Sequence, residues 1–203
     1  MKKIINCAGL LMIVAGLISC GNNTESDPKE TADSTNHAKI DSAKSADTVA
    51  TTNSPMADMK QDADFAVAAA DGGMLEVELG KMAVKKGMNK QIKNLGAMMV
   101  KDHSKANEEL KSAAKALNIT LPSSMSDKCQ KKVTDLSAKT GADFDKAYSD
   151  LMVSDHKDDI DEFKKEANKG NNSVLTAWAK SKLPVLEHHL AISESAKKAV
   201  EKN

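Results

Sequence analysis

The sequence contains no arginine: its 29 basic residues are all lysine, and 29 acidic residues cancel them. Nucleic-acid binders carry a basic excess and use guanidinium forks against phosphate and guanine, so no nucleic-acid partner is expected. Aromatic residues are only 2% of the chain, namely Phe65, Phe144, Tyr148, Phe163 and Trp178. That excludes base-stacking platforms and aromatic-rich β-sandwiches. Cysteine is scarce as well (Cys7, Cys20 and Cys129), too few to staple a small domain. There is no phosphate loop, no nucleophile elbow and no Cys-x-x-Cys, so no catalytic residue is assigned and no substrate is named. What the chain has in bulk is alanine, lysine, leucine, methionine and glutamate, the good helix formers.

The first residues give an address. Lys2 and Lys3 precede an apolar run from Ile4 to Ile18, short for a membrane span and right for a signal peptide. The run closes on Leu17-Ile18-Ser19-Cys20, which has the form of a bacterial lipobox. Residues 1–19 therefore read as a lipoprotein signal peptide and Cys20 as the lipidated first residue of the mature chain. An ordinary secretory signal with a chance cysteine is the alternative. Residue 21 is glycine rather than a retaining aspartate, which favours an outer-membrane lipoprotein of the cell envelope, on its periplasmic or its outer face. Cys7 leaves with the signal and Cys20 takes lipid, so Cys129 stands alone, inert or a stray thiol, with intermolecular pairing as the alternative.

Residues 20–59 read as the lipidated cysteine and a disordered tether. The stretch is rich in Ser, Thr, Asp, Ala and Asn, and its large apolar residues (Ile40, Val49, Met56, Met59) show no period. A flexible chain of this length reaches about 35 Å from its anchor. His37 lies in it alone and reads as incidental.

From residue 60 to 203 the apolar spacing becomes three and four, the mark of amphipathic helices. The first long helix is expected over Asp62–Lys86, with Phe65, Ala68, Ala69, Gly72, Leu75, Leu79, Met82 and Ala83 inward. Gly87 and Asn89 supply a stop and a start, so a second helix follows antiparallel to about Leu117. Gly72 and Gly96 are expected where backbones approach. Asn118 to Gly141 is a long connection with a short helix near Ser126–Lys139. A third helix, capped at Thr140, ends near Gly170; a fourth, capped at Ser173, runs to the C-terminus and bends at Pro184. The fold class is all-α: a ferritin-like four-helix bundle with a long, partly helical connection between helices two and three.

Each long helix carries one titratable side chain on its apolar stripe, near its midpoint: Glu76, His103, His156 and His189. Midpoints of parallel or antiparallel helices meet at one height, so convergence does not depend on topology. The string Met99-Val100-Lys101-Asp102-His103 recurs as Met152-Val153-Ser154-Asp155-His156. Asp102 and Asp155 lie where a carboxylate orients an imidazole, as groups behind metal ligands do. Glu78 flanks the first helix, and His188 faces solvent. Buried imidazoles need partners. One transition-metal ion (zinc, copper or iron) would satisfy them, with Met99 and Met152 as soft donors for copper. A hydrogen-bonded network that fixes helix register would also do so, and metal handling or envelope stress protection stands against a scaffold role on that choice.

At these residues the chain resembles the domain of unknown function 4142 family, exported bacterial proteins with a ferritin-like bundle. The resemblance rests on Gly73-Met-Leu-Glu-Val-Glu-Leu-Gly80, Met99-Val-Lys-Asp-His-Ser104 with Asn107, Phe144 with Tyr148, Asp155-His156, and Leu183-Pro-Val-Leu-Glu-His-His-Leu190. It implies fold and export, and it carries His103, His156 and His189 over as candidate site positions. No Glu-x-x-His occurs, so the di-iron carboxylate centre of ferritins is not expected.

Overall fold

The computed structural model describes residues 26–47 and 59–202. The signal peptide and Cys20 lie outside the described residues, as does the stretch 48–58. Six helices are described: α1 (Pro28–Asp47), α2 (Lys60–Lys86), α3 (Lys90–Ala116), α4 (Asp127–Ser137), α5 (Gly141–Lys169) and α6 (Ser173–Val200). None is long and apolar enough to cross a membrane. The four long helices α2, α3, α5 and α6 form an all-α bundle. α2 and α3 make one hairpin and α5 and α6 the other, with α3 packed on α6 and α2 on α5.

The termini are set by local chemistry. Asn89 caps α3 by accepting from Gln91 N, and Asn172 caps α6 by accepting from Val174 N and Leu175 N. Ser173, expected in that role, is the first helical residue instead. Thr140 does precede α5, without a side-chain cap bond. Pro184 stands inside α6, which runs through it.

Two buried aspartates tie the hairpins together reciprocally. Asp145 on α5 accepts from Met88 N and Asn89 N in the α2–α3 turn, at 2.7–3.2 Å. Asp62 on α2 accepts from Asn171 N and Asn172 N in the α5–α6 turn, at 3.3 and 2.8 Å. Each hairpin thus satisfies the free turn N–H groups of the other, and the contacts make α2 and α5 antiparallel.

The disordered-tether expectation fails for Pro28–Asp47. α1 is a helix that docks on α2 with Ala32 and Ile40 buried, Ile40 in one cluster with Met59, Ala63 and Ala66. Asn36 accepts from Thr120 N and donates to Thr120 O, and His37 pairs with Asp64 at 2.6 Å. Ala32, Asn36 and Ile40 are spaced by four, a stripe too sparse in apolar residues to stand out, yet sufficient against a groove already lined by small residues. α2 buries a wider face than its expected stripe: Ala63, Ala66, Val67 and Ala70 are covered, the three alanines in one cluster with Ile40 of α1, while Ala68 is exposed.

The close backbone approach involves Gly80 and Gly96. A Cβ at Gly96 would lie 2.7 Å from Gly80 O and 2.7 Å from Ala83 Cβ; one at Gly80 would lie 2.7 Å from Gly96 O. Gly72, expected in that role, has open space: its nearest neighbour would be Asp159 Oδ1 at 3.9 Å.

Two apolar clusters bracket a polar layer. One holds Leu79, Ile92, Leu95, Met99, Phe144, Tyr148 and Met152. The other is built on Phe65, Phe163 and Leu186, with Trp178 edge-on to Phe65 at 6.0 Å. Along α5 the buried residues pass from Met152 through His156 to Ile160 and Phe163, so the imidazole falls between the two clusters.

Candidate metal centre

Glu76, His103, His156 and His189 all point inward and are 0–6% exposed. The three imidazole centroids stand 5.2–5.6 Å apart. One ring nitrogen from each histidine lies within 4.8 Å of the other two. The convergence expected from helix midpoints is therefore what the structure has.

Each imidazole is held from behind by an acceptor on one nitrogen. His103 Nδ1 is 2.7 Å from Glu76 Oε2. His156 Nδ1 donates to the Met152 carbonyl at 3.0 Å, the carbonyl one helical turn back. His189 Nε2 donates to Asp102 Oδ2 at 3.0 Å. Since a neutral imidazole carries one proton, these contacts put it on the outer nitrogen and leave the inner one as a lone pair. Burial holds all three histidines down to about 4, so they are neutral at pH 7.

The inner nitrogens are then all acceptors. His156 Nε2 faces His189 Nδ1 at 3.2 Å. His103 Nε2 is buried and has no hydrogen-bond partner. Two lone pairs at 3.2 Å repel unless a proton or a cation lies between them, and burial disfavours the proton. Two nitrogens bound to one tetrahedral ion at 2.0–2.1 Å would stand about 3.3 Å apart. The observed separation fits that geometry.

Glu76 divides its two oxygens. Oε2 takes His103, while Oε1 has no hydrogen-bond partner and is 3.5 Å from His156 Nε2. Asp159, half-buried on α5, joins Glu76 and His156 in a second group of donors within 4.8 Å of one another. Burial raises both carboxyls above the usual carboxylate range, and for Asp159 the proximity of Glu76 adds to it. A dication can take the place of the proton such a pair retains. The expected quartet is thus two overlapping triads that share His156.

Asp159 was missed, although it lies three residues after His156 and seven after Met152, on the same stripe. The secondary candidates separate. Asp102 orients His189 as its place beside the stripe suggested. Asp155, its counterpart in the repeated string, instead pairs with Lys132 of α4 at 2.7 Å. The two copies sit against different neighbours, so one local sequence has two roles. Glu78 pairs with Lys81 at the surface, 3.5 Å away. Met99 and Met152 belong to the apolar cluster with Leu79 and Tyr148, which accounts for them as core. Cys129 donates to Asp71 at 3.2 Å, and burial pushes its thiol up to about 11, which makes it unreactive.

Beside the histidines lies a cavity of about 170 Å³. Glu76, His103 and His189 line it together with Phe163, Trp178 and Leu186. Neither a curated protein nor a solved structure matches the chain at a significant level. A family model does match, over residues 45–195, which takes in α2, α3 and α5 whole, α6 as far as residue 195 and every residue of the centre; the chain belongs to the family described as a domain of unknown function (DUF4142).

Proposed function

We propose that the bundle binds one transition-metal ion through His103, His156 and His189. Glu76, Asp102 and the Met152 carbonyl hold the imidazoles in the binding tautomer, and Glu76 and Asp159 supply compensating negative charge. The observation that carries this reading is the 3.2 Å approach of His156 Nε2 and His189 Nδ1. A register-fixing network would place a donor opposite an acceptor there, whereas both atoms are acceptors. Three neutral imidazoles with carboxylates behind them suit zinc, copper or iron. In this reading the protein is a metal-handling module of the cell envelope, held at the outer membrane by lipid on Cys20.

The test is metal content of the purified full chain together with cobalt(II) substitution. One equivalent of zinc, and an intense visible cobalt spectrum of tetrahedral type, are expected. His156→Ala and His189→Ala should each abolish both. Metal content unchanged by these substitutions would overturn the assignment and leave the polar layer as a structural network.

A further inference from the structure

We infer that the cavity beside the histidines is a binding site for a small aromatic carboxylate, whose carboxylate completes the coordination of the ion. This rests on the metal reading above and adds the class of its ligand. The histidine triad supplies three donors, and a tetrahedral ion then keeps one position for an exogenous group. The cavity is where such a group would come from, because His103 and His189 line it directly.

Size and wall chemistry narrow the occupant. At about 170 Å³ the cavity is close to the roughly 150 Å³ apolar cavity that takes benzene, so one ring with a short donor group fits. Phe163, Trp178 and Leu186 give that ring an apolar and aromatic wall. At the mouth, Lys105 and Lys182 both reach the single carboxylate of Glu109, which leaves one positive charge in excess. The wall also carries the carboxyls of Glu76, Asp102 and Asp159. With no ion in place nothing at the three imidazoles attracts a carboxylate, and a dication held there supplies the opposite charge. Anion binding is therefore conditional on the metal.

Trp178 is the only tryptophan of the chain and forms part of the wall, so its fluorescence reports occupancy. The full chain in detergent, loaded with zinc or stripped by chelator, is titrated with benzoate and separately with toluene. Saturable quenching by benzoate, at least tenfold tighter with zinc than without, is expected, and toluene should not share that zinc dependence. Ala106→Leu, which narrows the cavity at a wall residue that carries no donor atom, should keep the zinc and lose benzoate. Lys105→Glu, at an exposed position that folding tolerates, should weaken benzoate severalfold at unchanged zinc content. Zinc bound with no benzoate response, or equal affinity with and without zinc, overturns the inference and leaves the metal reading intact. Failure to take up zinc at all overturns both.

Discussion

Replacing Gly96 and Gly72 by alanine should shift stability in opposite directions, although both lie inside long helices. Alanine is favoured over glycine in a helix interior by about 1 kcal/mol. At Gly72 nothing opposes that gain, since the nearest atom to a new Cβ is Asp159 Oδ1 at 3.9 Å. G72A should therefore stabilise by about 0.5–1 kcal/mol and raise Tm by about 1–4 °C. At Gly96 a Cβ would stand 2.7 Å from Gly80 O, 2.7 Å from Ala83 Cβ and 3.1 Å from Val84 N. Overpacking costs about 1–3 kcal/mol, and the upper end applies because the atoms in the way include α2 backbone that cannot rotate aside. G96A should lose about 2 kcal/mol net, a fall in Tm of about 6 °C. Thermal unfolding followed by circular dichroism, with calorimetry, reads both. The same contact bears on the site, because Glu76 lies one turn before Gly80 and meets His103 across this helix pair. G96A should thus weaken zinc affinity as well, while G72A leaves α2–α3 spacing alone. A shift of the same sign for both variants would refute the assignment of Gly80 and Gly96 as the close approach.

Three further outcomes are expected. Glu166 is buried beside Asp62, and burial lifts its carboxyl to about 7. The folded chain therefore keeps a proton that the unfolded chain releases between pH 4.5 and 7. That contribution is full below pH 4.5 and lost as pH rises through 7. Glu166→Gln should match the parent near pH 4.5 and exceed it by on the order of 1–3 kcal/mol above pH 7; a gap independent of pH would contradict the assignment. Asn36→Ala leaves the Thr120 N–H and carbonyl without a partner, at a cost of about 1–3 kcal/mol. Faster hydrogen exchange confined to α1, with α2–α6 unchanged, is the expected pattern, and uniform acceleration would show that α1 is integral to the bundle. Asp102→Asn removes the acceptor charge behind His189 and should lower metal affinity about 10–100-fold; an unchanged affinity in a competition titration would detach Asp102 from the centre.

The bundle was legible because its helices repeat apolar residues every three or four positions and their turns carry glycine and asparagine. The centre was legible for a related reason: a histidine on an otherwise apolar stripe has nowhere to go but inward. What escaped depends on neighbours rather than on spacing within one helix. α1 has few large apolar residues, and its docking comes from a groove of alanines on α2 that no local pattern announces. Gly72 was expected at the approach that Gly80 makes, because which glycine of α2 meets α3 turns on the rotation of that helix and not on its own spacing. Asp102 and Asp155 stand in the same local string, and only the facing helix decides that one serves an imidazole and the other Lys132. Asp159 sat on the stripe, but aspartate is so often solvated that its position alone did not mark it.

The paired aspartates at the turns have a consequence for traffic. With Asp145 gripping one turn and Asp62 the other, spreading either end would strand two backbone N–H groups. The tips of the barrel are laced shut, and anything that exchanges with its interior must pass through the flank. There the seam between α3 and α6 is crossed by side chains alone, Lys182 and Trp178 to Glu109 and His189 to Asp102, and the cavity lies along it with Asn107 and Val185 on its wall.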